Sequence, residues 1–385
     1  MPVESILAWA EAHLNEALTD LEQLVNIDSP PDFKRGLDTV GSIMSDHLSR
    51  LGFKVEKVER ESYGDQIVAR NQNKDKPRVL ILGHLDTVHP VGTAAKRPFK
   101  VEGNLARGPG VADDRSGLVG LIYALRALAE SRLLESLPSI VIVLATDEEA
   151  NSTSSREVIL REARNSDIVL SVEPGRPEGL VTSRSGAGQY YIAVEGIEAH
   201  AGTNPQDGAN AIVELAFRSC ALHELTDLKR GDVVNVGRIG GGRWINLVAG
   251  SAWAEVQTHF KTAGDRLEEA VRRVLEAAPT IPGTKVTWKG GITHPAWEQN
   301  EKSESLKRFI QGIGEELGLD LSKSIGGGAA DCNLIAPLAL PMVDSMAPVG
   351  GNLHSEEEYL LVDTIPGRVA LLAMTLARIR EYRVD

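Results

Sequence analysis

Five short stretches of this chain gather side chains that can hold a metal ion or move a proton. In "LILGHLDTVHP" (80–90) an apolar run stops at Gly83 and is followed by His84 and Asp86. Residues two apart on an extended chain point the same way. A carboxylate beside an imidazole can fix the tautomer of a metal-ligating histidine, although a strand end reaching solvent has the same look. "GPGVADDRSG" (108–117) sets Asp113 and Asp114 in a glycine-proline loop ahead of a helical pattern, where helix capping is an equally good use for them. In "ATDEEANS" (145–152) Asp147, Glu148 and Glu149 follow another apolar run. Their mutual repulsion would be relieved by a cation, or simply by solvent. Glu173 in "SVEPG" and His354 in "GGNLHSEEEY" complete the set. Singly each is weak, but together they offer His, Asp, Glu, Glu and His. Such nitrogen and oxygen donors without a thiolate suit zinc, cobalt or manganese. A carboxylate shared by two ions would make a two-metal hydrolytic centre, and an adjacent Glu148–Glu149 pair could supply one base and one ligand.

The elements that must carry these residues alternate between strand and helix. "RVLILGH" (78–84), "SIVIVLAT" (139–146) and "DIVLSVEP" (167–174) are continuous apolar runs of strand length, as expected of strands covered on both faces. Between and after them "RSGLVGLIYALRALAES" and "SREVILREAR" read as helices, and residues 4–25 as one amphipathic helix. This alternation implies an α/β layer with a mainly parallel sheet, which binds ligands at the carboxyl ends of its strands. From about residue 181 the order becomes strand-helix-strand-strand-helix-strand, that of an α+β split βαβ (ferredoxin-like) sandwich. After Thr293 the α/β texture resumes, with helices over 303–318 and 363–381. The expected organisation is a discontinuous catalytic domain, 1–180 plus 294–385, interrupted by an inserted domain, 181–293.

Composition narrows the partners. A formal net charge of -13 and an aromatic content of 4% argue against nucleic acid and against an anionic membrane surface. No apolar run approaches the roughly eighteen residues of a membrane span, and no signal-peptide pattern opens the chain. Cys220 and Cys332 lack metal-ligand spacing, so reduced thiols in a cytoplasmic protein are expected.

The order "GHLDTV", "GPGVADDRSG", "TDEE", "SVEPG", "GIEAHAG", "GGGAADCN", "GGNLHSEEEY" resembles the M20 family of zinc metallopeptidases and amidohydrolases, which includes aminoacylases, acetylornithine deacetylase and succinyl-diaminopimelate desuccinylase. The carboxypeptidase G2 branch looks most similar. The resemblance implies two divalent ions, Zn2+ by preference with Co2+ or Mn2+ possible. His84 and Glu173 would ligate one ion, His354 and Glu149 the other, and Asp113 both. Asp86 would orient His84. Glu148 would be the general base toward a metal-bridging water, and the Asp113–Asp114 peptide bond would be cis. The inserted domain would act as lid and homodimer interface, with His200 of "AHAG" stabilising the oxyanion in a neighbouring subunit. Asn246 and the 326–328 glycine loop, Gly327 and Gly328 in particular, would contact substrate. That loop could equally be a tight turn needing positive φ.

One position departs from the family pattern. Its peptidases carry a carboxylate-gripping arginine about thirteen residues after the asparagine, and here the count reaches His259, which offers neither the fixed charge nor the bidentate fork of arginine. Arg243 or Arg184 could replace it. The expected activity is hydrolysis of an amide bond in an N-acyl amino acid or small peptide. The alternative is the same chemistry on an amide, carbamate or aryl-amine derivative without a free carboxylate. Of the remaining histidines, only His89 lies near enough to His84 in sequence to support it.

Overall fold

A computed structural model describes residues 3–383. The chain separates into two compact units, of which the second comprises Arg184–Glu298 with Gly327–Ala329 and the first the described chain on either side. The first unit is built on a six-stranded sheet in the order Lys54–Val58, Gln66–Arg70, Ile140–Ala145, Val79–His84, Ile168–Ser171, Met342–Val343. Val79–His84 runs parallel to both of its neighbours, and Met342–Val343 is parallel to Ile168–Ser171. The first two strands are antiparallel additions at one edge. Every residue of Ile140–Ala145, Val79–His84 and Ile168–Ser171 is buried, which is why their sequences are nearly continuous Val, Ile and Leu rather than alternating. Register then places the chemistry. His84 pairs with Ala145 and Leu82 with Ser171, so the strands finish nearly level. The segments that leave them deliver His84 and Asp86, Asp147 to Glu149, and Glu173 to one edge of the layer.

Helix Gly117–Glu130 is buried on nearly all sides, and its Leu118, Leu121 and Leu125 share one core with Ile81, Ile142 and Leu170. A small antiparallel sheet joins Gly350–Gly351, Tyr359–Leu361, Leu105–Arg107 and Lys100–Glu102. Its pairings bring the 352–358 loop, which carries His354, next to the 108–116 loop, which carries Asp113. Residues 4–25 are not one helix. Val3–Ala12 and Leu14–Val25 are separate, parted at His13, where φ is -103° and ψ 10°. The His13 ring stacks on Trp9 with centroids 4.0 Å apart, and its Nδ1 lies 2.8 Å from Trp9 O. That contact with the preceding turn competes with straight continuation of the helix.

The second unit follows the split βαβ order: strand Gly186–Glu195, helix Ala211–His223, strands Val233–Gly241 and Ser251–Phe260, helix Asp265–Glu276, strand Lys285–His294. Its sheet runs Val233–Gly241, Ser251–Phe260, Gly186–Glu195, Lys285–His294, antiparallel throughout. Ile192, Val194, Ala254 and Val256 face the helices, which contribute Leu215, Leu267, Val271 and Leu275. The last three recur every four residues, the apolar stripe of an amphipathic helix. Asn210 starts the first helix, its side chain accepting from the N–H groups of Ile212 and Val213.

Two glycines in helices have opposite surroundings. A Cβ at Gly117 would meet Val172 O at 2.0 Å and Asp114 Oδ1 at 2.1 Å, whereas one at Gly312 meets nothing within 4 Å. Gly312→Ala should therefore stabilise by about 1 kcal/mol through helix propensity, and Gly117→Ala should destabilise and displace the Asp114 loop. Thermal midpoints of the two variants in opposite directions from wild type are the expected result; a rise for both would contradict the packing described.

Candidate metal centre and active site

Asp113 presents its two oxygens to two histidines. Its Oδ1 lies 3.1 Å from His84 Nε2 and its Oδ2 3.3 Å from His354 Nε2. A further carboxylate approaches each imidazole: Glu173 Oε1 is 3.6 Å from His84 Nε2, and Glu149 Oε1 is 3.2 Å from His354 Nε2. Donor atoms around one tetrahedral ion with bonds near 2.0–2.1 Å sit about 3.3 Å apart, so these spacings are those of ligands sharing an ion. Glu149 Oε1 is sealed from solvent, with the His354 imidazole 3.2 Å away. An acceptor buried this way is costly unless a cation meets it. His84, Asp113 and Glu149 form a compact group with donor atoms all within 4.8 Å. The donor chemistry and the buried Glu149 oxygen both fit divalent ions.

Neither aspartate of the 113–114 pair caps a helix, because Gly117–Glu130 begins without a side-chain cap. The bond between them is cis. Asp113 faces the histidines, while Asp114 turns inward, wholly buried, and accepts from the His84 N–H at 3.3 Å. Burial pushes the Asp114 carboxyl well above its usual range.

Asp86 ties two ligand-bearing segments together. Its Oδ1 lies 3.3 Å from His84 Nδ1. Its two oxygens accept the backbone N–H groups of Glu148 at 3.2 Å and Glu149 at 2.8 Å. Asp147 shapes the same acidic loop, accepting from the N–H groups of Ser154 at 2.6 Å and Ser155 at 3.1 Å and from the Ser155 hydroxyl. Of the three crowded acids, Asp147 thus has a structural use, which sequence reading did not separate from the other two. Asp331, buried and bonded by the Ser152 hydroxyl, also escaped it; burial pushes its carboxyl up to about 7. Glu358 is another omission. It is buried among backbone amides, and nothing in "HSEEEY" distinguishes it from its exposed neighbours Glu356 and Glu357.

The charges press on one another. Burial pulls the His84 pKa down, but the Asp113 and Asp86 carboxylates outweigh it and hold the imidazole well above its usual value. Asp113 and Glu149 raise His354 to about 10. Burial would raise Asp113, but the two histidines hold it far below the ordinary carboxylate range. Glu148 is pushed well above its usual value by burial, then by Glu173 and Glu149.

The substrate-side candidates lie in the second unit. His200 and Asn246 come together, since His200 bridges Leu247 and the Ala201 N–H donates to Asn246 O at 2.9 Å. His200 Nδ1 accepts from the N–H groups of Gly202 at 3.2 Å and Thr203 at 3.1 Å, so its Nε2 carries the proton when the ring is neutral. Arg243 is exposed and pairs with Glu198 at 3.1 Å. His259 is half-buried on Ser251–Phe260, and burial lowers its pKa. Arg184 donates to Gly328 O at 2.8 Å, and a Cβ at Gly327 would meet its Nη1 at 2.9 Å. Neither Gly327 nor Gly328 has a positive φ, so the loop is not the tight turn that would require one. A cavity of about 690 Å³ on the open face of this unit's sheet touches Gln189, Tyr191, Asn235 and Gln257. None of the clustered titratable groups lines it, so cavity size does not mark the chemistry here.

The fold and the donor cluster define a metal-dependent hydrolase of the carboxypeptidase and deacylase type. The chain belongs to peptidase family M20/M25/M40, whose profile matches residues 80–378. It is 30% identical over 362 residues to carboxypeptidase G2 of Pseudomonas sp. (strain RS-16), covering 92% of this chain and 86% of that protein. It is 23% identical over 344 residues to a succinyl-diaminopimelate desuccinylase of Thioalkalivibrio sulfidiphilus, covering 84% and 89%. Among solved structures, a tripeptidase from Staphylococcus aureus superposes with a TM-score of 0.78 at 19% identity over 96% of this chain and 99% of that one. A metallo-carboxypeptidase of the M20 family from Sulfolobus solfataricus superposes with a TM-score of 0.76 at 15% identity over 94% and 99%.

A divalent ion needs neutral imidazoles, and in the metal-free chain the neighbouring carboxylates raise the pKa of His84 and bring that of His354 to about 10. Zinc binding at pH 7 should therefore release protons and should weaken as pH falls. Calorimetric titration in buffers of differing ionisation enthalpy measures the release, and a buffer-independent heat would contradict these assignments.

Proposed function

We propose that this chain is a two-metal amidohydrolase that cleaves the amide bond of an N-acyl amino acid or small peptide. The observation that carries the proposal is Asp113, whose two oxygens face two separate histidine-carboxylate pairs. His84, Asp113 and Glu173 would hold one ion, and His354, Asp113 and Glu149 the other, zinc being the best match to the donors. Bound there, the ions supply Lewis acidity that acidifies water and polarises the amide carbonyl. Glu148 takes a proton from the attacking water and passes it to the leaving nitrogen; its raised carboxyl pKa suits a base that must also donate. Asp86 keeps the His84 ring and the Glu148–Glu149 backbone in register with each other. His200 offers an Nε2–H to the oxyanion of a neighbouring subunit's substrate.

The inserted unit is proposed as lid and dimer interface. Helix Ala211–His223 turns Ile212, Val213 and Phe217 outward, and Val233–Gly241, which packs beside it, is an edge strand. A second copy related by a two-fold axis would pair the edges and cover the apolar helix face. Cys220 and Cys332 are not joined by a disulfide, in keeping with a cytoplasmic location. No helix among the described residues is long and apolar enough to cross a membrane.

A second reading has its own support. His259, where an arginine was expected, has its pKa lowered by burial, which disfavours its charged form. Arg243 and Arg184 are engaged with Glu198 and Gly328. These features favour an amide, carbamate or aryl-amine substrate without a free carboxylate.

Zinc-reconstituted enzyme should hydrolyse at least one of two series, N-acyl glutamate and N-acyl alanine or the matched primary amides. Turnover of the acids supports the first reading, and turnover of the amides alone the second. Glu148→Ala should lower kcat by about 10²–10⁴-fold while still binding zinc; an active Glu148→Ala would remove the residue from the mechanism. Phe217→Glu should turn a dimer into a monomer by light scattering, and an unchanged mass would place the interface elsewhere.

A further inference from the structure

We infer that Glu358 is a positioning residue whose single carboxylate locks together the three segments that carry His84, Asp113 and His354. The inference rests on the two-metal reading above. Glu358 follows His354 by four residues and is 2% exposed. Its Oε1 accepts the backbone N–H groups of Ala112 at 2.9 Å and Asp113 at 3.1 Å. Its Oε2 accepts the Gly110 N–H at 3.0 Å and faces His89 Nε2, also at 3.0 Å. Three amides of one loop thus converge on one anion, an arrangement helped by the φ of +71° at Gly110.

The fourth contact fixes a tautomer. Arg97 Nη2 lies 3.3 Å from His89 Nδ1. Arginine only donates, so Nδ1 is the acceptor and Nε2–H donates to Glu358. His89 sits on the segment that leaves the strand ending in His84. The same arginine donates through Nη1 to Glu356 O at 2.9 Å, which closes the connection back onto the His354 loop.

The consequence is specific to the metal centre. Within the 352–358 loop the Ser355 hydroxyl donates to Asn352 O at 2.6 Å and the Glu357 N–H to Ser355 Oγ at 3.1 Å, while Arg97 and Arg107 reach its outer backbone at Glu356 O and Glu357 O. His354 has a φ of 62° and is half exposed. Its distance to Asp113 therefore depends on how the loop is anchored, and Glu358 is the anchor that grips the Asp113 backbone itself. A glutamine at 358 would place an N–H₂ against converging N–H donors, leaving at least one of them unpaired. Partners that hold ligands in place commonly alter metal affinity by about 10–100-fold when changed.

The test measures zinc stoichiometry and affinity by chelator competition on folded protein, with the visible spectrum of the Co2+-loaded form as a second readout. Glu358→Gln should bind at least one zinc 10–100-fold more weakly, show an altered Co2+ spectrum, and regain kcat as free zinc is raised. The exposed Glu356→Gln is the control and should match wild type. If Glu358→Gln does not fold, His89→Ala should show the same weakening and His89→Gln, which keeps a donor, should restore it. A folded Glu358→Gln with wild-type affinity and spectrum, or His89→Ala indistinguishable from wild type, overturns the inference. Wild type that binds fewer than two ions would instead overturn the two-metal reading, and the two failures are thus told apart.

Discussion

Like charges that repel are held together at the carboxyl edge of the sheet, and much of the first unit is arranged around them. Asp113, Glu149, Glu173, Glu148 and Asp86 crowd near two histidines with little water to screen them. In the metal-free chain these carboxylates favour the protonated forms of His84 and His354 and raise the pKa of both. Burying so many carboxylates is unfavourable unless positive charge sits among them. Divalent cations would replace the protons and meet the buried Glu149 oxygen together.

This constraint explains the scaffolding. Three inner strands end nearly level, so that residues far apart in sequence reach one edge without long loops. Each acidic segment is then fixed by polar contacts to backbone rather than by apolar packing. Asp86 holds the Glu148–Glu149 amides, Asp147 the 154–155 turn, and Glu358 the 110–113 loop. A hydrogen bond from a backbone N–H to a carboxylate is short and charge-assisted, which suits a site where ligand positions must be fixed closely.

The second unit follows a different logic. Its sheet is covered by helices on one face only, so strands such as Ser251–Phe260 alternate buried and partly exposed residues. That alternation puts His259 on the open face with Gln257 and Glu255, while Phe260 and Val256 enter the core. A histidine there is partly desolvated and loses charge, where an arginine would keep it.

Much of this was determined by sequence alone. The buried parallel strands were legible as continuous apolar runs, because a strand covered on both faces needs no polar alternation. The split βαβ order and the His84, Asp113, Glu149, Glu173 and His354 set were legible through spacing and motif order. Local chemistry could not separate a capping Asp113 from one that faces two histidines, nor Asp147 from its neighbours, since identical side chains differ only in what the fold places opposite them. The break at His13 depended on a ring contact with Trp9 that periodicity does not encode. Glu358, one acid among three in "SEEEY", was invisible for the same reason. Its carboxylate meets amides some 250 positions earlier in the chain, and only tertiary structure brings such distant groups within hydrogen-bonding range.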